Sequence, residues 1–487
     1  MTIVRKNNKL DFNYPPLSLL INGERLGDKG RKSENVLDPA TGQVIGVLPH
    51  ATVNDLDCAL EAAEAAFATW KEIAPVKRGK IMRVAAALMR ERSEQLALVA
   101  TVESGKPIGQ TRIEVEMSAE IFEWYAEEGR RAYGRVLPRQ KSGTRMTVFK
   151  DPVGPVAAFA PWNFPLGNPA RKLGAALAAG CSCIMKPAEE TPASALNIAA
   201  ALQDAGLPAG VIGIVFGVPS EVSTYLLASP VIRKISFTGS IPVGKELMKL
   251  AADGMKRTTM ELGGHAPVIV SNDVDVDKVL DLSAAAKFRN AGQVCVSPTR
   301  FLVHQSIYED FVEGFAKRAS EIIVGNGLDE STQMGPLIHE RRLADIESIV
   351  EDARQAGATI NTGGKRIEGS GFFYEPTVIS NVPLSARIMR EEPFGPVAIV
   401  NSFDDINAAI IEANRLPYGL AAFAFTDSSV LIRRMGESLE AGMVGINTFA
   451  ISIPESPFGG IKESGHGSEE GIEGLEACLV TRFVSEA

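Results

Sequence analysis

Between residues 156 and 262 the sequence alternates short apolar runs with helix-like segments, and this alternation limits the fold more than any other feature. The apolar runs are VAAFAP, CSCIMKP, GIVFG, KISFTG and TTMELGG. Segments such as RKLGAALAAG and VGKELMKLAADG stand between them. Five strands joined by four helices are typical of an open parallel α/β sheet. Such sheets bind ligands beyond the carboxyl ends of their strands, so the residues after each strand are candidates for a site.

The rest of the chain predicts more than one domain. At 487 residues it is longer than one hydrophobic core usually fills. Residues 52–100 have helical apolar spacing, and a second α/β series follows Gly264 as far as about residue 460. The charged stretch 128–148 and the tail after Gly467 belong to neither core. They are either arms that contact other subunits, or an exposed hairpin and a frayed terminus.

Composition excludes several classes of function. The net charge of −9 argues against nucleic acid as a partner. No pair of cysteines has zinc-site spacing, so we expect no metal site and a reducing interior. The first residues lack the apolar run of a signal peptide, and the longest apolar stretch is too short to span a membrane. We therefore expect a soluble, cytoplasmic protein. The cysteines are Cys58, Cys181, Cys183, Cys295 and Cys478.

The segment FTGSIPVGKEL, residues 237–247, follows a strand and opens a helix. Gly239, Ser240 and Gly244 would let backbone amides at the helix N-terminus approach a phosphate closely. Its spacing imitates a P-loop, but Glu246 stands where that motif needs a hydroxyl group for magnesium. The segment is therefore either a pyrophosphate cradle of unusual form or an ordinary strand-to-helix turn.

The segment KPAEET, residues 186–191, ends another strand. Lys186 and Glu189 would then lie at the edge of the sheet, where they could bind ribose hydroxyls. A carboxylate at the ribose favours NAD over NADP, because it repels the additional 2′-phosphate. The alternative is a solvated turn capped by Thr191.

Two further strand ends carry groups suited to acyl chemistry. In PWNFP the amide of Asn163 could donate a hydrogen bond to a developing oxyanion. In ELGGHAP the carboxylate of Glu261 could act as a general base, with two glycines leaving space in front of it. Glu261 could equally be a surface strand end, and we interpret His265 as a hydrogen-bonded turn residue.

The segment FRNAGQVCVSP places Cys295 just beyond a helix-like run. Most free cysteines pack as small hydrophobic residues, so Cys295 is either a nucleophile or a buried thiol. The later segment EEPFGPV predicts a rigid turn from which Glu392 and Phe394 project, and PFGGIKESG predicts a second Phe-Gly turn.

The ordered set PWNFP, KPAEET, FTGSxxxG, ELGG, GQxC, EExFGPV and PFGGxKxSG resembles the NAD(P)-dependent aldehyde dehydrogenase superfamily. NVLDPATGQVIG and ESGKP extend the resemblance to nearly the whole chain. The resemblance implies an α/β fold with a modified Rossmann cofactor domain, an α/β catalytic domain and an oligomerisation arm. The implied boundaries are 1–129 with 150–260 for the NAD-binding domain, 261–467 for the catalytic domain, and 130–149 with 468–487 for the arm.

The resemblance also implies residue roles. Cys295 matches the nucleophile, Asn163 the oxyanion donor and Glu261 the general base that releases the acid by hydrolysis. NAD is the expected cofactor, with NADP the less favoured alternative, and a homodimer or homotetramer is the expected assembly. The matched cofactor contacts are Trp162, Lys186, Glu189, Gly239, Ser240, Glu392 and Phe394.

Within the superfamily, FRNAGQ, RKLGAALAAG and GINTFAIS look most like succinate-semialdehyde dehydrogenases. The residues that match that family's carboxylate clamp are Arg171, Arg289 and Ser452, and we add Phe164 and Phe458 as substrate contacts. Guanidinium suits this role because it binds carboxylate bidentately. Alternatively, Arg171 opens a solvated helix and Arg289 complements a helix dipole.

Other substrates and other classes of function stay open. Many succinate-semialdehyde enzymes have a second cysteine where this chain has Ser297, which excludes a disulfide switch there. Glutarate semialdehyde, 2-oxoglutarate semialdehyde and neutral aldehydes are therefore alternatives. A cysteine hydrolase would need no nucleotide cradle and has no Cys-His signature here. Two further hypotheses are a phosphate-hydrolysing P-loop protein, which Glu246 disfavours, and a non-catalytic structural protein on the same scaffold.

Overall fold

The computed structural model describes residues 13–487, together with the short paired strands Arg5–Lys6 and Lys9–Leu10. Besides that pair, the described part of the chain contains three larger sheets and a second two-stranded sheet, Ser33–Leu37 with Val44–Pro49. None of the described helices is long and apolar enough to cross a membrane.

The first sheet contains the five predicted strands, all parallel to one another. In the described chain it has eight strands, because short segments from both ends of the sequence are added to its edges with antiparallel pairing. Its strands in spatial order are Gly465–His466, Arg257–Leu262, Lys234–Gly239, Val156–Phe159, Cys183–Lys186, Ile212–Ile214, Leu19–Ile21 and Glu24–Leu26.

Helices cover this sheet, as the apolar periodicity of the sequence predicts. The helix Val53–Trp70 begins with a capping box, in which the Thr52 hydroxyl and the Asp55 carboxylate each accept a hydrogen bond from the other's backbone N–H. The remaining helices of this part are Pro75–Glu91, Ser93–Ser104, Ile108–Glu128, Gly167–Ala179, Pro192–Asp204, Pro219–Ala228 and Ile241–Asp253.

Every residue of the helix Gly167–Ala179, called the central helix below, is buried. It ends at Gly180, whose φ of 98° is a left-handed conformation that glycine adopts without a steric penalty. Burial of Arg171 and Lys172 on this helix shows that the solvated-helix interpretation of Arg171 is wrong.

The second sheet is built from the predicted second α/β series. It has seven strands in the described chain, six of them parallel and Thr359–Thr362 antiparallel at one edge. In spatial order they are Thr359–Thr362, Thr377–Ser380, Val397–Phe403, Pro298–His304, Ala266–Val270, Ala421–Phe425 and Met443–Ile446. Its helices are Val276–Phe288, Tyr308–Ser320, Glu340–Gln355, Ile406–Asn414 and Ser429–Ser438.

A third sheet joins the two stretches interpreted as arms. Arg135–Leu137 pairs with Arg145–Pro152, which pairs in turn with Leu479–Glu486 near the C-terminus. Phe149 and Phe483, on neighbouring strands, are both exposed. The short helix Gly471–Glu476 comes before this last strand in the C-terminal tail. It packs against the central helix and does not extend away from the rest of the protein.

Candidate active site

A cavity of about 1810 Å³ opens beyond the carboxyl ends of the first sheet's strands. The strand order reverses at Val156–Phe159, and open α/β sheets bind ligands at such a switch point. Of the predicted substrate contacts, one lines the cavity, namely Phe458. The other four lie outside the lining: Phe164, Arg171, Arg289 and Ser452. The lining includes all of the predicted catalytic and cofactor residues, namely Trp162, Asn163, Lys186, Glu189, Gly239, Ser240, Glu261, Cys295, Glu392 and Phe394.

Cys295 reaches the cavity from a tight left-handed turn. The helix Val276–Phe288 ends just before it, and residues 290–292 have positive φ angles of 49°, 52° and 70°. A side chain at Gly292 would overlap the Gly395 carbonyl, so this turn requires glycine. The turn reverses the chain and leaves Cys295 half-buried in the cavity wall.

Burial dominates the electrostatics of the Cys295 thiol. It raises the thiol pKa to about 12, against the opposing effect of the Arg171 charge, while Glu392 and Glu261 raise the pKa further. The thiol therefore keeps its proton at neutral pH, and its reactivity depends on a group that removes the proton or on a positive charge brought nearby.

The rate of Cys295 alkylation by iodoacetamide is expected to rise about tenfold per pH unit from pH 7 to 10, because only the thiolate reacts. Because the pKa of the Cys295 thiol is raised to about 12, the whole range from pH 7 to 10 lies below that pKa. Cys58 is exposed, so the measurement uses a Cys58→Ser background, in which the other cysteines are buried. A rate that levels off above about pH 9 would show that the thiol has an ordinary pKa.

Asn163 is held by hydrogen bonds on both sides of its amide. Its Nδ2 donates to the Gln293 carbonyl at 3.2 Å, and its Oδ1 accepts from Asn168 Nδ2 at 3.2 Å. Its backbone carbonyl accepts from Asn290 Nδ2 at 3.0 Å, which ties it to the turn before Cys295. These hydrogen bonds fix the orientation of the Asn163 amide and therefore of its second N–H. Asn163 itself lines the cavity.

Glu261 is the penultimate residue of the strand Arg257–Leu262 and is buried. Neither carboxylate oxygen has a hydrogen-bonding partner among the described residues. Burial raises the pKa of Glu261 well above its usual value, the Glu469 charge adds to the rise, and Lys172 opposes it. A buried carboxylate with an elevated pKa is suited to accept a proton in a reaction.

Two consecutive cations on the central helix are paired with two consecutive carboxylates near the C-terminus. The Lys172 ammonium forms an ion pair with Glu469, which also accepts a hydrogen bond from Ser236 Oγ at 3.0 Å. Arg171 Nε donates to Glu470 Oε1 at 2.8 Å. Sequence reasoning missed these two partners, because both carboxylates fall in the predicted arm.

The cofactor half of the cavity contains the predicted polar groups. Lys186 and Glu189 form an ion pair at the end of the strand Cys183–Lys186. The helix Ile241–Asp253 begins directly after Ser240, so its first backbone N–H groups face this end of the sheet. A Cβ at Gly244 would lie 2.5 Å from Leu262 Cδ2, and the missing side chain lets the helix approach the strand.

Aromatic and acidic side chains form the opposite wall. Trp162 and Phe394 meet edge to face, with ring centroids 5.6 Å apart. Phe394 has a φ of 43°, so its turn holds the ring in a left-handed conformation. Burial raises the pKa of Glu392 to about 8, although the Gly264 backbone N–H stabilises its charge.

A dinucleotide fits the volume and donor set of this half of the cavity: a helix N-terminus for the pyrophosphate and a Lys-Glu pair for a ribose. Sequence reasoning missed His339, whose ring lies 6.4 Å from that of Trp162, and the basic residues Arg341 and Arg342 beside it. They follow one another at the start of the helix Glu340–Gln355, where apolar periodicity does not reveal a binding role.

Two arginines lie over two aromatic rings on the other side of Cys295. Arg171 Cζ is 4.2 Å from the Phe458 ring centroid, and Arg289 Cζ is 5.6 Å from that of Phe164. Both charges act on Cys295. Arg171 lowers the thiol pKa. Desolvation of the guanidinium lowers the Arg289 pKa and the Cys295 charge opposes this, while Arg289 as a whole residue is exposed at the surface.

The two arginines differ in their partners. Arg171 is paired with Glu470, and its Nη2 donates to Ser452 Oγ at 2.9 Å. Arg289 has no side-chain hydrogen bond or ion pair among the described residues, apart from its position over Phe164. Arg289 directly follows the helix Val276–Phe288, so its positive charge also lies at the negative end of that helix's dipole.

His265 is a hydrogen-bonded turn residue, as the sequence predicts. Its Nδ1 lies 2.7 Å from Thr299 Oγ1 and its Nε2 lies 2.7 Å from the Ile388 carbonyl. Burial lowers its pKa well below the usual value, so the ring stays neutral and structural.

Comparison with known proteins agrees with this geometry. Residues 27–484 match the sequence model of the Aldehyde dehydrogenase family. The chain is 47% identical to a 4-(hydroxymethyl)benzenesulfonate dehydrogenase of Comamonas testosteroni, over 96% of this chain and 97% of that protein. It is 41% identical to the NADP(+) succinate-semialdehyde dehydrogenase of Escherichia coli (strain K12), over 97% and 98% of the two chains.

Among solved structures, succinate-semialdehyde dehydrogenase from Burkholderia pseudomallei has the same fold, with a TM-score of 0.94 and 41% identity, covering 96% of this chain and 98% of that one. The predicted fold class and the predicted resemblance are therefore confirmed. The chain belongs to the aldehyde dehydrogenase family.

Proposed function

We propose that the protein oxidises a small aldehyde with a distal anionic group to the carboxylic acid, with succinate semialdehyde as the first candidate substrate. The observation that carries this proposal is the Arg289 guanidinium. It has no hydrogen-bonding or ion-pairing partner among the described side chains, and it lies close enough to Cys295 for the two charges to interact. A cation without a partner there suits a substrate's own anion.

In the proposed mechanism the Cys295 thiol releases its proton to water, and the resulting thiolate adds to the aldehyde carbonyl, forming a C–S bond and an oxyanion. The Asn163 amide and the Cys295 backbone N–H donate hydrogen bonds to this oxyanion. The nicotinamide of the dinucleotide, when bound, supplies the hydride acceptor. Collapse of the oxyanion leaves a thioester on Cys295. Glu261 then takes a proton from water, which attacks the thioester and releases the acid.

The elevated pKa of Glu261 supports its role in the second half of the reaction. A carboxylate that readily accepts a proton can activate water, and Glu261 lines the cavity together with Cys295. Hydrolysis at this step, rather than transfer to coenzyme A, makes the enzyme non-acylating.

We further propose NAD as the preferred cofactor. Glu189 lies in the cavity lining beside Lys186, where its negative charge would repel the 2′-phosphate of NADP. The relative from Escherichia coli is named for NADP(+), so its name does not support NAD. The proposed preference of this chain for NAD depends on the Glu189 carboxylate.

A second candidate substrate is a sulfonated benzaldehyde. The relative from Comamonas testosteroni is named for 4-(hydroxymethyl)benzenesulfonate, and a sulfonate, like a carboxylate, carries one negative charge. The aromatic rings of Phe164 and Phe458, each beneath an arginine, would contact such a substrate. Glutarate and 2-oxoglutarate semialdehydes share the distal carboxylate, and glutarate semialdehyde represents both in the test.

The substrate proposal is tested by NADH formation with succinate semialdehyde, glutarate semialdehyde, 4-formylbenzenesulfonate, butanal and benzaldehyde. We expect kcat/KM for the anionic aldehydes to exceed that for their neutral counterparts by about 100-fold, and Arg289→Gln to reduce this advantage about tenfold or more. Arg318→Gln, a change in an ion-paired arginine of the helix Tyr308–Ser320, is the matched control. Equal rates for neutral and anionic aldehydes would contradict the anionic assignment and leave aldehyde oxidation intact.

Asn163→Ala is expected to lower kcat by several hundredfold, because loss of one oriented oxyanion donor costs about 3 to 4 kcal/mol. The KM should change less, since the hydrogen bond strengthens only as the oxyanion forms. Steady-state kinetics with the preferred aldehyde measure both values. Turnover at the wild-type level would show that Asn163 does not stabilise the transition state.

The domain boundaries and the assembly also remain proposals. We propose that the sheet formed by Arg135–Leu137, Arg145–Pro152 and Leu479–Glu486 is the arm of a homodimer or homotetramer, supported by its exposed Phe149 and Phe483. Sedimentation that shows a monomer at working concentration would contradict this proposal.

A further inference from the structure

Glu470 occupies a backbone conformation that a side chain rarely adopts. Its φ of 59° and ψ of −175° lie in a region that is essentially restricted to glycine and costs about 1 to 3 kcal/mol for other residues. Glu470 is nevertheless completely buried, with its side chain in the interior. A strained, buried carboxylate persists when its surroundings hold it in place, and its contacts indicate what it is held for.

The Glu470 carboxylate binds two of the three groups that match a carboxylate clamp. Its Oε1 accepts from Arg171 Nε at 2.8 Å, and its Oε2 accepts from Ser452 Oγ at 3.3 Å. Ser452 Oγ in turn accepts from Arg171 Nη2 at 2.9 Å. The three side chains form a closed network in which the Arg171 charge is neutralised and the Ser452 proton is already donated.

The neighbouring charges are compensated in the same way. Lys106 lies over the Phe164 ring at 4.1 Å and is paired with the buried Glu114. Arg289 lies over the same ring and has no ionic partner among the described side chains. The charge that remains for a substrate is therefore a single positive one.

We propose that Glu470 is a positioning residue that sets substrate specificity: by holding Arg171 and Ser452, it leaves Arg289 to bind the substrate's anion and restricts the site to aldehydes with one distal negative charge. This inference rests on the proposed oxidation of an anionic aldehyde. It differs from the clamp expected from the sequence, in which Arg171, Arg289 and Ser452 bind the anion together.

The test compares kcat/KM for succinate semialdehyde with that for butanal, because their ratio cancels any general loss of active enzyme. Glu470→Gln keeps the side-chain shape and removes the charge, so the ratio should rise about tenfold or more, mainly through a lower KM for succinate semialdehyde. Glu470→Gly should act in the same direction, and glycine suits the backbone conformation if the glutamine variant does not fold. Glu470→Asp retains the charge and should keep the ratio closer to that of the wild type.

A double variant separates the two roles of Arg171. Arg171→Gln alone leaves Glu470 without its cation, so the ratio should fall about tenfold or more. Arg171→Gln with Glu470→Gln restores the original net charge, so the ratio should return to within about threefold of the wild type. If the double variant loses the preference as fully as Arg171→Gln does, Arg171 binds the anion itself and the proposal is wrong.

Failure of the inference and failure of the proposed function give different results. A wild-type enzyme that prefers succinate semialdehyde, with Glu470→Gln and Glu470→Gly ratios unchanged, would overturn the role of Glu470 alone. A wild-type enzyme without that preference would overturn the anionic assignment before any variant is made, and the role of Glu470 would fall with it.

Discussion

Cys295→Ala is expected to lower kcat for aldehyde oxidation by about 10⁴-fold or more. Without the Sγ atom no thiohemiacetal can form, and the remaining groups of the cavity wall, Asn163 and Glu261, act only on an intermediate that is covalently held. NADH absorbance at saturating aldehyde measures the loss, and binding of NAD to the variant, followed by fluorescence, verifies that the cavity is intact.

The matched control is Cys58→Ser, because Cys58 is an exposed thiol on the helix Val53–Trp70. It should retain wild-type turnover. A Cys295→Ala enzyme that keeps more than about a tenth of wild-type activity would exclude covalent catalysis at this residue and revive a mechanism without a nucleophilic thiol.

Glu261→Gln is expected to separate the two halves of the reaction. Acylation should still produce about one NADH per active site in a rapid burst, after which steady-state turnover should fall by about 10² to 10⁴-fold. The glutamine amide of the variant cannot take a proton from water. In the wild type, the buried Glu261 carboxylate has no hydrogen-bonding partner among the described residues, so no bonded neighbour is in place to replace it. Stopped-flow absorbance measures the burst and the later rate.

Added hydroxylamine provides the chemical control, because it attacks a thioester without a general base. Because hydroxylamine also condenses with free aldehyde, it is added after the aldehyde has been removed; it should then release the acyl group of Glu261→Gln as a hydroxamate and have no effect on Cys295→Ala. If the burst itself slows as much as the steady state, Glu261 removes the thiol proton instead of activating water. The raised pKa of Cys295 makes that alternative chemically meaningful.

The parallel sheet and its functional edge could be predicted because they depend on local patterns. The apolar runs before Asn163, Lys186 and Glu261 are strands, and the ends of parallel strands meet at one edge. The convergence of Cys295 on the same edge depends on how the second sheet packs against the first. That arrangement could be anticipated only from the family resemblance.

Long-range pairings explain most of what was missed. The strands Leu19–Ile21 and Gly465–His466 contain only two or three residues each, too few for a period-two pattern to show, and they join the first sheet through contacts between distant parts of the chain. Their place in the sheet follows from the tertiary structure and not from local propensity.

The substrate side of the site shows the same limit. The sequence assigned Arg171, Arg289 and Ser452 to one clamp by resemblance, and the tail that contains Glu470 to an arm. The ion pair between Arg171 and Glu470 joins residues nearly 300 positions apart. No spacing rule connects these two residues. The local signal that could have indicated a buried role is the acidic pair that follows a run of glycines and serines.

The most direct test of the central claim is a competition for the acyl-enzyme. Glu261→Gln is mixed with NAD and equal concentrations of succinate semialdehyde and butanal, and the Cys295 peptide is analysed by mass spectrometry. We predict a thioester on Cys295 that is predominantly succinyl. An unmodified Cys295 during the NADH burst would contradict covalent catalysis at this residue, and equal succinyl and butyryl labelling would contradict recognition of the substrate's anion.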